Sequence, residues 1–229
     1  MTDEARIYGV AHTDKILVDF MVKSAIRLLV NCGFSINEIN ALDPFTGDGV
    51  FIDSLISHGI RQISGYEIRL EQFKATAQKY KDKASVIHVN AFSTSLNGVN
   101  LIIGNPPYGK CEKECFVDSR IRETYGGEGA AICIRSLYDH YVRAIRWGSD
   151  NLARGVIAYI VNNSFLQCVS FSNFRKKLET EYDAVYIVNL RGNHRTSGEL
   201  CRQEGGNVFG VECRTGIAIL FLVRNGIKK

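Results

Sequence analysis

The stretch at residues 101–110, LIIGNPPYGK, is a run of branched apolar residues that stops at Gly104 and gives way to Asn105-Pro106-Pro107-Tyr108. Two consecutive prolines remove two backbone N–H donors and fix two φ angles near about −65°. Each also pushes the residue before it out of the helical region. The result is a stiff, extended tetrapeptide whose carbonyls no local N–H can satisfy. That arrangement suits one kind of nucleophile, an amino group conjugated to a planar ring. Its lone pair becomes available only as the nitrogen pyramidalises, and two acceptors in front of its two N–H bonds favour that geometry as it develops. Asn105 offers a side-chain oxygen, Pro106 a carbonyl held in place by Pro107, and Tyr108 a ring on which a base can stack. Asn105, Pro106, Pro107 and Tyr108 are therefore the candidate catalytic residues.

These groups need a scaffold. Residues 14–31 carry apolar side chains at helical spacing (Ile16, Leu17, Phe20, Met21, Ala25, Leu28, Leu29), with Asp14 at the start. Beyond them short apolar runs alternate with helical patterns. Strands are expected at 38–45, 62–68, 85–90, 99–104, 155–161, 184–190 and 215–224, and helices at 50–58, 69–81, 131–152 and 171–181. Residues 106–130 read as an irregular active-site loop. Short strands apolar on both faces, separated by helices, imply an α/β fold with a mostly parallel sheet covered on both sides. No helical pattern separates the last two strands, so the final one is expected to pair antiparallel. The fold class is thus a Rossmann-like, seven-stranded α/β sheet in a single domain, 1–229.

In such sheets ligands bind at the carboxyl ends of the strands. Asp43-Pro44-Phe45-Thr46-Gly47-Asp48-Gly49 follows the first strand, Glu67 ends the second, Asn90-Ala91-Phe92 follows the third, and Asn105–Tyr108 the fourth. Gly47 and Gly49 let backbone approach a ligand closely. An acid 18 positions after Gly49 suits the two hydroxyls of a ribose. The loop has no GxGxxG pattern, and Asp43 and Asp48 would repel a pyrophosphate. A ligand bearing an ammonium or sulfonium would be welcome, which points to S-adenosylmethionine rather than a dinucleotide.

At these residues the chain resembles the amino-methyltransferases that use S-adenosylmethionine: DPFTGDG, then GYE, then GNPPY. Gly9-Val10-Ala11-His12-Thr13 with a helix precedes them, the order found in the gamma group of DNA N6-adenine methyltransferases. NNSFL at 162–166, the segment 190–209 and RTGIAILFLV at 214–223 are similar to the methyltransferase region of type ISP restriction-modification enzymes. The resemblance implies a class I S-adenosylmethionine-dependent fold and methyl transfer to N6 of an adenine flipped out of DNA. It implies cofactor contacts from Thr13, Asp43, Phe45, Gly47, Gly49, Glu67, Asn90 and Phe92, with helix 14–31 closing the pocket. Phe209 would stack on the base opposite Tyr108, and Arg191, His194, Arg195 and Arg202 would hold DNA phosphates. Thr13 is followed by Asp14 where the family usually has proline, and Asn90 stands where it usually has aspartate. Gamma enzymes usually continue into a target-recognition domain; here the sequence ends at Lys229 after the last strand. A separate specificity, helicase or nuclease subunit is the expected partner. An RNA adenine or a protein glutamine as substrate, and a non-catalytic DNA-binding subunit, stay open as alternatives.

Composition excludes little of this. The chain has 229 residues and a net charge of +4, compatible with a polyanionic partner without requiring one. Seven cysteines, an odd number, with no signal-peptide pattern read as reduced thiols, and the expected location is cytoplasmic. Cys111 and Cys115 have no second close pair to complete a zinc site, so no metal is expected. No apolar run is long enough for a membrane span. His12, His88, His140 and His194 lack the partners of a nucleophilic triad. The run 69–83 reads as a solvated helix face, and Tyr138, Tyr141 and Trp147 as core packing.

Overall fold

The computed structural model describes residues 13–109, 115–126, 137–192, 207 and 215–226. Helix α1 spans Lys15–Asn31; the Asp14 carboxylate caps it, accepting from Ile16 N–H at 2.7 Å. It buries Leu17, Val18, Met21, Val22, Ala25 and Leu29, the stripe its periodicity predicts. Then follow β1 (Asn40–Asp43), α2 (Val50–Ser57), β2 (Gln62–Glu67), α3 (Leu70–Lys79), β3 (Ser85–His88) and β4 (Leu101–Gly104). After them come α4 (Phe116–Tyr125), α5 (His140–Asn151), β5 (Gly155–Asn162), α6 (Ser172–Glu181), β6 (Ala184–Arg191) and β7 (Ile217–Arg224).

The seven strands form one sheet in the order β3-β2-β1-β4-β5-β7-β6. The pairings β1–β2, β2–β3, β1–β4 and β4–β5 are parallel; β7 runs antiparallel to both β5 and β6. The antiparallel last strand is as the missing helix foretold. Apolar residues at consecutive positions are buried because both faces are covered. Val156, Ala158 and Ile160 of β5 pack on the side of α1 and α2, while Ile157, Tyr159 and Val161 pack on the side of α5 and α6.

One expectation needs correcting. The segment 106–130 is not irregular throughout, since Phe116–Tyr125 is helical. Its buried positions are Val117, Asp118, Ile121 and Tyr125, so one acid interrupts the apolar stripe. That acid is paired: Arg143 of α5 donates Nε and Nη2 to the two Asp118 oxygens at 2.7 and 2.6 Å, and both side chains are almost fully buried. The same carboxylate accepts Cys115 N–H at 2.9 Å. This bidentate clamp holds α4 against α5.

Candidate active site

The sheet order reverses between β1 and β4, the switch point at whose carboxyl ends ligands bind in such folds. Asp43 is the last residue of β1 there. It is fully buried; Oδ1 accepts Phe45 N–H at 3.0 Å, and Oδ2 makes no hydrogen bond. Burial pushes its carboxyl up to about 7, and the neighbouring Glu67 adds to the rise while the Phe45 bond opposes it. A Cβ on Gly104 would stand 2.7 Å from Asp43 Oδ1, so glycine is what lets this carboxyl lie beside the strand leading to Asn105.

The loop after β1 is held from beneath by α3. Gly47 C=O accepts from Thr76 Oγ1 at 2.8 Å and Gln72 Nε2 at 3.1 Å. Gly49 has φ +79°, and a Cβ there would fall 2.3 Å from the Tyr80 ring, whose hydroxyl donates to Gly49 C=O. Both facts require glycine.

Glu67, at the end of β2, is 5% exposed and already engaged at both oxygens. Oε2 accepts Gly47 N–H at 3.0 Å and Arg69 Nη2 at 3.4 Å; Oε1 accepts Arg69 N–H at 2.8 Å and Arg69 Nε at 3.2 Å. Asn90 follows β3, is exposed, and its side-chain oxygen accepts Phe92 N–H at 3.1 Å. An aromatic wall runs from there: Phe45 lies 5.7 Å from Phe92 and 6.1 Å from Tyr159, and Phe92 stacks on His140 at 6.3 Å.

Asn105 continues β4. Its Nδ2 donates to Thr13 Oγ1 at 3.1 Å, which fixes the amide orientation. Its Oδ1 is buried and makes no hydrogen bond. Beside it, a cavity of about 360 Å³ opens among Pro106, Pro107, Tyr108, Tyr141, Asn162 and Thr215. A larger groove of about 500 Å³ lies at the opposite end of the sheet, among the first residues of β1, β2 and β3. It is remote from the carboxyl ends of the strands, so we place no chemistry in it.

The structure thus brings Thr13, Asp43, Phe45, Gly47, Gly49, Glu67, Asn90, Phe92 and Asn105–Tyr108 to the carboxyl ends of β1–β4, several of them in contact with one another. Of the residues expected to hold phosphates, only Arg191 is among the described residues. Arg191 is exposed at the end of β6 with φ 60°, while His194, Arg195, Arg202 and the stacking residue Phe209 lie outside the described residues. Sequence reasoning missed Arg69, read as part of a solvated face, and the pocket roles of Tyr141 and Asn162. The pattern Glu-x-Arg was visible, but nothing in it told that the guanidinium folds back. Among the described residues no group of three or more His, Cys, Asp or Glu could hold a metal, and no helix is long and apolar enough to cross a membrane.

Could these residues hold S-adenosylmethionine? The buried, unpaired Asp43 Oδ2 suits a nearby cation, the Phe45–Phe92 wall suits a purine, and Glu67 suits a diol. The fit carries one condition, that the Arg69 guanidinium gives way.

Comparison with known proteins gives the family and the fold. The sequence profile of the Eco57I restriction-modification methylase family matches residues 36–196. The chain is 24% identical, over 236 aligned residues, to the Type II methyltransferase M.BstVI of Geobacillus stearothermophilus, covering 84% of this chain and 39% of that protein. Among solved structures it is similar to DrdV in its DNA complex, with TM-score 0.85, 28% identity, and coverage of 97% of this chain and 27% of that one. It is also similar to the Type ISP restriction-modification enzyme LlaGI, a nuclease-deletion mutant bound to a DNA substrate mimic: TM-score 0.84, 28% identity, coverage of 94% and 26%. The chain therefore spans well under half the length of these relatives. The likeness in fold reaches class I S-adenosylmethionine-dependent methyltransferases at 15% identity.

Proposed function

Because the chain belongs to the Eco57I restriction-modification methylase family, we propose that it is the methyltransferase part of a restriction-modification enzyme, moving a methyl group from S-adenosylmethionine to N6 of an adenine flipped out of DNA. The observation that carries this reading is Asn105: Thr13 holds its amide nitrogen, which leaves the side-chain oxygen buried and unengaged one residue before Pro106. The two oxygens form an acceptor pair for the two hydrogens of one amino group. When bound, the cofactor supplies an electrophilic methyl on a sulfonium. Everything else is done by this chain. Asp43, ionised when the cation arrives, supplies negative potential at the end of β1, and Phe45 and Phe92 offer a face to the cofactor's purine. Asn105 and Pro106 draw the amine hydrogens as nitrogen pyramidalises, and Tyr108 offers a stacking face worth about 1–3 kcal/mol per base. That stacking offsets part of the few kcal/mol needed to extrude the base. The proton leaves to solvent after transfer, so no general base is needed beforehand.

DNA as the substrate is supported by the relatives solved with DNA. The chain's small share of their length supports further modules for target recognition, helicase or nuclease work as partners, in a cytoplasmic enzyme. One observation favours a second reading, that of a non-catalytic DNA-binding subunit: Glu67 has donors at both oxygens and none to spare for a ribose without movement of Arg69. Calorimetric titration with S-adenosylmethionine, with Glu67→Ala as control, separates the two. Binding that the variant loses supports the enzyme, and absence of binding supports the subunit. Asn105→Ala should then keep cofactor affinity and lower methyl transfer by about 100-fold or more; an unaltered rate would refute the acceptor pair.

A further inference from the structure

The cavity beside Pro106 is also lined by two side chains able to donate hydrogen bonds, Tyr141 and Asn162, together with the carboxylate-bearing Asp139. Tyr141 lines it from α5. The side chain is 6% exposed and lies in the core against Phe171, with rings 6.3 Å apart. Its hydroxyl is buried and makes no hydrogen bond; Ser164 is near enough to influence it without bonding geometry. A buried hydroxyl left unsatisfied is costly, and such groups are kept where something binds. Asn162, the last residue of β5, lines the same cavity. Its side-chain oxygen accepts Ser164 N–H at 2.8 Å, so what the amide can offer a ligand is its N–H donors.

We infer that Tyr141 and Asn162 are specificity-determining residues that donate hydrogen bonds to ring nitrogens of the base whose amino group faces Asn105 and Pro106. The inference rests on the proposed DNA-modifying function and deepens it. The logic is one of complementarity. Asn105 Oδ1 and the Pro106 carbonyl accept only, and the Tyr141 hydroxyl and Asn162 amide donate. An adenine matches both sets, because apart from its N6 hydrogens its polar edge atoms N1, N3 and N7 are all acceptors. A base carrying a carbonyl in place of the amine would set oxygen against oxygen at Asn105. A base with a ring N–H would set a donor against a donor at Tyr141 or Asn162.

Two conservative variants isolate the donors. Tyr141→Phe removes one hydroxyl and leaves the ring in its packing. Asn162→Asp keeps an oxygen for Ser164 N–H and replaces the amide nitrogen by a second acceptor. The substrate is random-sequence duplex DNA, so that no recognition sequence need be known. It is copied with ordinary dATP or with its 1-deaza, 3-deaza or 7-deaza analogue, and labelled methyl transfer is read together with cofactor affinity and melting temperature. Tyr141→Phe should lower kcat/KM about ten-fold, with cofactor affinity unchanged. Asn162→Asp should lower it further. One deaza analogue should cost the wild type about what Tyr141→Phe costs, and cost that variant nothing more. A role in packing alone would make every loss additive, or would lower the melting temperature without this pattern. A wild-type rate in Tyr141→Phe, or additive losses with all three analogues, overturns the assignment. A wild-type chain that binds S-adenosylmethionine but methylates no DNA overturns the function reading, and the assignment falls with it.

Discussion

Arg69 occupies the group that a ribose would need, so removing its side chain should improve cofactor binding. The magnitude follows from the geometry. Its guanidinium makes two bonds to Glu67, both long at 3.2 and 3.4 Å. The arginine is 23% exposed and the acid 5%. Such a pair falls between an exposed ion pair, at about 0.2–1 kcal/mol, and a charge-assisted bond in the interior, at about 1.5–3 kcal/mol. A value near 1 kcal/mol is reasonable. The cofactor no longer has to displace it in Arg69→Ala, so affinity should rise about five-fold. Glu67 keeps two backbone donors, Gly47 N–H and the N–H of residue 69 itself, and stays anchored. The protein loses the same pair when empty, so its melting temperature should fall by about 2–4 °C. Affinity and stability therefore move in opposite directions, which a loosened fold would not produce. Salt should narrow the gap between wild type and variant, because ions weaken a partly exposed pair. Calorimetry at low and high salt with a thermal melt measures all three. Unchanged or weaker binding in Arg69→Ala would refute the reasoning and make the arginine a supporting arm of the site.

Other consequences are more direct. Asp43, with its carboxyl pushed from the ordinary 3.8 up to about 7, holds a proton in the folded protein that the unfolded chain releases. Its contribution to stability is thus present below about pH 4 and lost as pH rises to about 7, at most about 4 kcal/mol for a shift of about three units. Urea titrations at several pH values should show that slope, and Asp43→Asn should flatten it; a slope surviving in the variant assigns it elsewhere. A positively charged cofactor favours the ionised form, so its affinity should climb between pH 6 and 8 in wild type and stay level in Asp43→Asn, as calorimetry across that range would show. Asp118→Ala leaves Arg143 buried without its acid and should cost about 3–5 kcal/mol, while Asp118→Leu combined with Arg143→Met should recover most of that loss. Denaturant unfolding of the two variants tests this, and equal destabilisation would refute it. Gly104→Ala puts a methyl 2.7 Å from Asp43 Oδ1 and should weaken S-adenosylmethionine binding with the protein still folded; calorimetry and circular dichroism on the same sample decide it.

The strands and most helices were legible because each is stated locally, by short apolar runs and by stripes such as that of α1. The site was legible for the same reason, since the ends of four strands can be located without knowing how the strands pack. What was not legible depends on distant or conformational facts. Helix α4 hides because one of its four buried positions is Asp118, and a buried acid makes sense only once Arg143, 25 residues later, stands opposite. Tyr141 carries the signal of a core aromatic and is one; that it also lines a cavity depends on where Asn162 and Pro106 arrive. Arg69 sits two residues from Glu67, yet only its rotamer tells whether it faces solvent or folds back. The basic loop around His194 and Arg195 lies outside the described residues, so its placement adds nothing to the expectation.

The position of β7 also orders events during synthesis. It is the last strand among the described residues, yet it lies between β5 and β6, pairing with β5 along its whole length from Gly155–Arg224 to Asn162–Ile217. Until residues 217–224 leave the ribosome, β5 has an open edge and β6 has no neighbour to join. The parallel strands β1–β4, which lead to Asp43, Glu67 and Asn105, can assemble earlier, but the sheet closes only when β7 slides into the gap. Contacts this distant in sequence are slow to form. A stalled chain ending before Ile217 would expose two apolar strand edges at once, a ready template for aggregation.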